Sequence, residues 1–341
     1  MAASSVRKVA VLGAGAWGTV FAQILADAGN QVRIWARRAE LAEQINAGEN
    51  PRYVPGIKLH GISAASDLEW VCQGAGMVVV SIPSNGVRAL LEQVRDFIPL
   101  NATVISLVKG LEAGTLQMMT EVISEAGGIH PSRIVAVSGP NLSGEIARHE
   151  PTGAAVAGQD SWRAGLVASR IHTHYFRPYV AEDVVGVEIG GVVKNIIAMA
   201  VGAADGLGLG VNSRSFLITR GLAEMVRLGV AMGGKSDTFL GLAGLGDLVA
   251  TCSSSSSRNF AFGYRLGQGM DISQALQASE GTVEGARSCP VVRDLAHKKG
   301  VSMPINSAAY RVISGKQTLE EALVSLSTGP RVTDGPSARM V

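Results

Sequence analysis

Apolar positions fall into short blocks in the first half of the chain and into long periodic stretches in the second. Val9-Ala10-Val11-Leu12 is a continuous apolar run of strand length, and behind it Val20, Phe21, Ile24, Leu25 and Ala28 share one face of a helix. Gly29-Asn30 stops that helix, and residues 31–35 open a second strand at once. This succession is a βαβ unit, which implies parallel strands. Ser66-Asp67-Leu68-Glu69 has the spacing of a capping box that opens a short helix. Residues 77–82, 101–108 and 133–137 are further strand blocks. From about Asp183 the β-branched blocks give way to helical patterns over residues 187–204 and 215–228. The expectation is an α/β domain of the Rossmann type with a mostly parallel sheet over residues 1–187, followed by an all-α domain over 188–341.

A chain of 341 residues exceeds what one hydrophobic core holds, about 250–300 residues, and so supports two domains. With 47% hydrophobic and 17% charged residues it can bury a sizeable aliphatic core and is not disordered by composition. A net charge of +2 with no basic run gives no reason to expect nucleic acid or an anionic membrane as partner. Cys72, Cys252 and Cys289 are an odd set without CxxC spacing, which suits a reducing cytoplasm and neither a disulfide framework nor a zinc ribbon. Arg7 and Lys8 before an apolar run imitate a secretory signal, but Gly13, Gly15 and Gly18 interrupt it. No membrane span is expected, and the apolar helices of the second half are compatible with a homodimer.

Candidate chemistry begins with Gly13-Ala14-Gly15-Ala16-Trp17-Gly18, set between the first strand and the first helix. In that context the glycines allow a tight turn, backbone approach to a pyrophosphate and close helix–strand packing, while the helix N-terminus offers free N–H donors. Where a carboxylate would read the ribose 2′-hydroxyl of NAD, the second strand ends in Trp35-Ala36-Arg37-Arg38. A guanidinium there can pair with a 2′-phosphate, so NADP is favoured over NAD or at least accepted; the alternative is a solvated pair on a surface turn. In the helical half, Lys194-Asn195 is surrounded by Gly190-Gly191-Val192-Val193 and Ile196-Ile197-Ala198-Met199. Burial disfavours an ammonium, and a lowered pKa is what a general base near neutrality needs, unless the lysine snorkels to the surface. Asn195 has two readings: a hydrogen bond to substrate or lysine, or an amide that satisfies backbone.

These residues, with Lys109-Gly110-Leu111-Glu112, Ser138-Gly139-Pro140, Thr219 to Met225, Gly241 to Leu248, Thr251-Cys252 and Ser257-Arg258-Asn259, stand in the order found in a known family. Over nearly its whole length the chain resembles the bacterial NAD(P)-dependent glycerol-3-phosphate dehydrogenases. The resemblance implies interconversion of sn-glycerol 3-phosphate and dihydroxyacetone phosphate, supplying glycerophospholipid synthesis. It implies Lys194 as proton acceptor with Asp247 beside it, and Lys109 reaching cofactor and substrate. It further implies Gly139, Asn141, Ser257, Arg258 and Asn259 as substrate-binding residues. Ser143, Thr282 and Glu284 would touch the cofactor together with Arg258, as would Gly13, Gly15, Ala16, Trp17, Gly18, Arg37 and Arg38. The histidines match no catalytic position, His172-Thr173-His174 reads as a strand edge, and no metal is expected. Phe260 and Arg214 depart from the family's usual residues and bear on substrate affinity more than on reaction type, while Asn141 is a conservative polar change. Two rivals are a β-hydroxyacid dehydrogenase relative, which would oxidise a carboxylate, and a non-catalytic NADP-binding sensor.

Overall fold

The computed structural model describes residues 8–279 and 281–328, so Arg7 lies outside the described residues. Among them, residues 8–108 and 118–184 form one compact unit, and residues 109–117 and 185–328 form a second. The excursion that carries Lys109 therefore packs with the helical half of the chain, although the sequence on both sides of it belongs to the sheet.

The first unit holds eight strands, β1 (Lys8–Leu12), β2 (Gln31–Trp35), β3 (Ile62–Ala65), β4 (Met77–Val80), β5 (Thr103–Ser106), β6 (Ile134–Ser138), β7 (Thr152–Gly158) and β8 (Phe176–Ala181). They lie in the order β3-β2-β1-β4-β5-β6-β7-β8. Every neighbouring pair is parallel except β6 with β7. Helices α1 (Ala16–Asp27), α2 (Ala39–Asn46), α3 (Leu68–Cys72), α4 (Val87–Val94), α5 (Met119–Gly127), α6 (Ser143–Ala147) and α7 (Ser161–Ile171) fill the connections. Alternation along β1 explains the continuous apolar run. Val9 and Val11 pack with Val20, Phe21 and Ile24 of α1 and Val167 of α7, while Ala10 and Leu12 pack with Leu91 of α4 and Val122 of α5. A strand buried on both faces has no polar side to show. Strand order reverses between β1 and β4, and in such sheets the crevice at that reversal, beyond the carboxyl ends of the strands, is where ligands bind.

Differences from the expected elements have local causes. The short helix α3 is capped by Asp67, whose carboxylate accepts from Glu69 N–H at 2.9 Å and Trp70 N–H at 3.2 Å, and not by a box built on Ser66. His172-Thr173-His174 forms the turn that leads into β8 and is not a strand edge; Thr173 Oγ1 accepts from Phe176 N–H at 2.9 Å. Strands β7 and β8 carry weak signals, because Thr152–Gly158 is mostly alanine and glycine and β8 holds Pro178, a residue tolerated at a sheet edge.

The second unit is helical: α8 (Val184–Gly206), α9 (Val211–Ala231), α10 (Asp247–Ser253), α11 (Arg258–Gly267), α12 (Ile272–Gln277), α13 (Glu284–Lys298), α14 (Pro304–Ile313) and α15 (Leu319–Ser327). Helix α8 is long and apolar enough to cross a membrane by length and composition alone, yet 83% of its most apolar stretch is buried within the protein. It shows no amphipathic stripe because nearly every one of its positions is covered. Close crossing with α11 depends on glycine. A Cβ at Gly202 would stand 2.1 Å from the Phe260 carbonyl, and one at Gly263 would stand 2.0 Å from the Met199 carbonyl. Phe260 is buried at this crossing, and Arg214 pairs with Asp205 at 2.6 Å, which gives both departures a structural place.

Candidate active site

The glycine loop lies at the carboxyl end of β1, in the first unit. A Cβ on Gly13 would stand 2.3 Å from the Ser81 carbonyl just past β4, and one on Gly18 would stand 2.0 Å from the Gly13 carbonyl. Only glycine fits at either place. Gly15 has nothing within 4 Å of its Cβ direction, so it borders open space, and as N-cap of α1 it leaves the first N–H groups without a side-chain cap. The first turn of α1 carries no acid, and the Trp17 indole Nε1 is buried there without a hydrogen-bond partner. Donors, helix dipole and open space together fit a dinucleotide pyrophosphate.

Arg37 and Arg38 follow β2. Arg37 is exposed, Arg38 stands at the N-cap of α2, and neither makes an ion pair among the described residues. Glu40 lies in the first turn of α2. Elsewhere in the first unit, Gly139 follows β6 so closely against β7 that a Cβ would meet Ala154 Cα at 2.9 Å. Both polar atoms of the Asn141 amide are buried without a partner, and Ser143 opens α6.

In the second unit the chemistry converges on one carboxylate. Lys194, at 6% exposure, donates to Asp247 Oδ1, and Lys109 donates to Asp247 Oδ2 at 2.7 Å. Lys194 also donates to Thr251 Oγ1 at 2.8 Å, and that hydroxyl in turn donates to the Asp247 carbonyl at 2.6 Å. Two of the three sequence-distant segments, α8 and the turn before α10, come together because Gly190, one turn before Lys194 on α8, lacks a side chain. A Cβ there would stand 2.4 Å from the Ala243 carbonyl in the wide π-turn Leu242–Gly246 that leads into α10. Two ammonium groups against one carboxylate leave a surplus positive charge in a buried place. Burial lowers the Lys194 pKa from 10.5 to about 8, the Asp247 charge opposes this, and the nearby Lys109 charge adds to the lowering.

Beside this cluster, Asn259 Nδ2 donates to Asn195 Oδ1 at 2.9 Å, and Asn259 Oδ1 accepts from Gly285 N–H at 2.8 Å. Asn195 donates to the Gly191 carbonyl at 3.3 Å, so its amide serves backbone and Asn259; no bond to Lys194 is present. Ser257 is the N-cap of α11 and accepts from Phe260 N–H at 3.3 Å. Arg258 opens α11 with its guanidinium against Gly281, beside Thr282 and the start of α13 at Glu284, and it makes no ion pair among the described residues.

The N-terminal model of the NAD-dependent glycerol-3-phosphate dehydrogenases matches residues 8–164, and the C-terminal model of the same family matches residues 183–324. The chain belongs to the NAD-dependent glycerol-3-phosphate dehydrogenase family. A glycerol-3-phosphate dehydrogenase [NAD(P)+] of Corynebacterium aurimucosum is 48% identical over 321 residues, 93% of this chain and 97% of that protein. One from Mycobacterium tuberculosis is 48% identical over 320 residues, covering 93% and 96%. A crystal structure of glycerol-3-phosphate dehydrogenase from Coxiella burnetii superposes with a TM-score of 0.90 at 36% identity, covering 95% of this chain and 99% of that one. Within this family member, two residues that chemistry alone did not single out complete the lysine cluster. Thr251 lies four residues after Asp247 on α10, a spacing that places both on one helix face. Gly190 gave no signal beyond being a glycine in an apolar helix.

Proposed function

We propose that this chain interconverts sn-glycerol 3-phosphate and dihydroxyacetone phosphate, with Lys194 as the proton acceptor in oxidation and the proton donor in reduction. The observation that carries the reading is the Lys109–Asp247–Lys194 cluster, in which a buried lysine titrates near pH 8 and can exist as a neutral amine at working pH. Gly13, Gly15, Ala16, Trp17 and Gly18 would hold the pyrophosphate of NADP or NAD, with Arg37 and Arg38 on the adenosine ribose and Lys109, Ser143, Arg258, Thr282 and Glu284 completing the cofactor's contacts. When bound, the nicotinamide supplies a hydride acceptor in oxidation and a hydride donor in reduction. Lys194 Nζ takes the proton of the secondary hydroxyl as that carbon becomes a carbonyl. Asp247 stabilises the ammonium that forms, and Thr251 holds Nζ in one orientation. Asn141, Gly139, Ser257, Arg258 and Asn259 would bind the substrate; a guanidinium at the N-terminus of α11 suits a phosphate dianion in both charge and fork geometry.

Arg37 and Arg38, which make no ion pair among the described residues, favour NADPH in the reductive direction. The glycerol 3-phosphate formed is the backbone of glycerophospholipids. Three buried, unbridged cysteines suit a cytoplasmic setting, and exposed Val211, Phe216 and Leu240 in the second unit support a homodimer. The test is oxidation of NADPH and of NADH followed at the reduced-cofactor absorbance band, with dihydroxyacetone phosphate and, separately, a β-keto acid. Turnover with the phosphate substrate alone is expected. Turnover with the carboxylate instead, or binding of NADPH without turnover, would overturn the reading.

A further inference from the structure

Asn50 is a polar residue with 0% exposure, in the loop after α2, and the chemistry described so far does not use it. Its side-chain Nδ2 donates to the Ala14 carbonyl at 3.2 Å and to Thr19 Oγ1 at 2.8 Å. The amide orientation is fixed by these partners, because a carbonyl can only accept and so must face the nitrogen. Ala14 lies inside the glycine loop, between Gly13 and Gly15. Thr19 lies in the first turns of α1 and is itself buried, with its N–H donating to the Gly15 carbonyl at 2.9 Å. The segment bearing Asn50 is itself held. Asn50's carbonyl accepts from Tyr53 N–H at 3.2 Å and Val54 N–H at 2.9 Å, Glu49 and Lys58 pair as an isolated bridge, and Leu59 N–H donates to the Gly48 carbonyl at 2.8 Å.

We infer that Asn50 is a positioning residue for the cofactor, which aims the Gly15 N–H at the pyrophosphate by holding the Ala14 carbonyl on the opposite side of the same peptide. A trans peptide is planar, with its C=O and N–H pointing in opposite directions. With the carbonyl pinned inward by a buried amide, the Gly15 N–H must point outward, to the side where Gly15 borders open space. Glycine at this position makes the peptide easy to rotate, so an external restraint is needed to keep a donor preorganised. The inward side of the loop has a second restraint, Gly13 N–H donating to the Trp35 carbonyl at 3.3 Å. Asn50 and β2 thus hold two peptides of the loop, Ala14–Gly15 and Leu12–Gly13, from behind while its open face is left free for an anion.

The inference rests on the glycine loop being the dinucleotide site, and the test separates the two. Asn50→Asp is nearly isosteric but turns the donor that faces Ala14 and Thr19 into an acceptor. NADPH Kd is measured by titrating cofactor fluorescence, alongside kcat and the KM for dihydroxyacetone phosphate at saturating NADPH and thermal denaturation. The expected result is a Kd raised at least ten-fold, with kcat and substrate KM within about two-fold of wild type. Asn50→Ser keeps a single donor and should fall between the two; it serves as the decisive variant if Asn50→Asp does not fold. An unchanged NADPH Kd with a lowered Tm would make Asn50 a purely structural residue and overturn the inference. Failure of the wild-type protein to bind NADPH at all would instead overturn the dinucleotide reading on which it rests.

Discussion

Replacing Gly190 by alanine adds one methyl group where α8 meets the turn before α10. The new Cβ would stand 2.4 Å from the Ala243 carbonyl oxygen and 3.1 Å from its carbon, so the neighbouring backbone must give way by about 1 Å to reach ordinary contact. Helix α8 is buried along almost all its length, so the turn Leu242–Gly246 yields first and takes Asp247 with it. Overpacking of this kind costs about 1–3 kcal/mol of stability. The larger effect falls on chemistry, since a misplacement of about 1 Å in a reacting constellation can lower turnover about 10²-fold. Gly202→Ala, on the same helix, provides the contrast. Its Cβ would strike the Phe260 carbonyl at 2.1 Å and push back α11, which carries Arg258 and Asn259, while leaving Asp247 in place. Steady-state kinetics should therefore show Gly190→Ala losing kcat and Gly202→Ala raising the KM for dihydroxyacetone phosphate. Both should melt a few degrees lower. A Gly190→Ala enzyme with wild-type kcat, or two variants with the same kinetic signature, would refute the role given to this helix contact.

Lys109→Met removes a cation that holds the Lys194 pKa down, so the inflection in kcat/KM for glycerol 3-phosphate oxidation should move up in pH, whatever the loss in rate; an unmoved inflection would uncouple the two lysines. Arg37→Glu should weaken NADPH far more than NADH, because a carboxylate repels a 2′-phosphate and can accept from a 2′-hydroxyl; equal losses in Kd would take Arg37 away from the ribose. Glu224 is buried and caps α14 through Ile305 N–H at 2.6 Å and Asn306 N–H at 3.2 Å, and burial raises its pKa from 4.5 to about 7. For an acid raised in the folded state, the associated stability is present below pH 4.5 and is lost as pH rises to about 7. Tm measured against pH should fall through that window in the wild type and flatten in Glu224→Gln, and parallel curves would remove Glu224 as the cause.

The βαβ opening, the glycine loop and the change to long helices were legible because each is written in local pattern: a run of strand length, a glycine spacing, a helical period. What was not legible depends on partners far away in the chain. Alanine-rich β7 is a strand because β6 and β8 flank it, and its own residues say little about that. Residues 109–117 read as part of the sheet domain because they interrupt it in sequence, yet Lys109 is held by a carboxylate 138 positions later. Lys194 was legible as an anomaly, a charge in an apolar helix, whereas Thr251 and Gly190 look ordinary until α8 and α10 are brought together. Asn50 was invisible for the same reason. A single asparagine in a loop is common, and only burial against the Ala14 carbonyl gives it meaning.

The central claim is that Lys194 carries the proton, and the most direct measurement is the pH dependence of kcat/KM for glycerol 3-phosphate oxidation in the wild type and in Lys194→Met. Methionine keeps the length and apolar character of the side chain and removes a charge that burial disfavours, so the variant should fold and bind NADPH as the wild type does. The account predicts a wild-type profile that rises through an inflection near pH 8, where Lys194 loses its proton, and a variant about 10²–10⁴-fold slower in which that inflection is absent. A Lys194→Met enzyme with near wild-type rates, or a slow one that keeps the same inflection, would contradict it and move the proton transfer to another group.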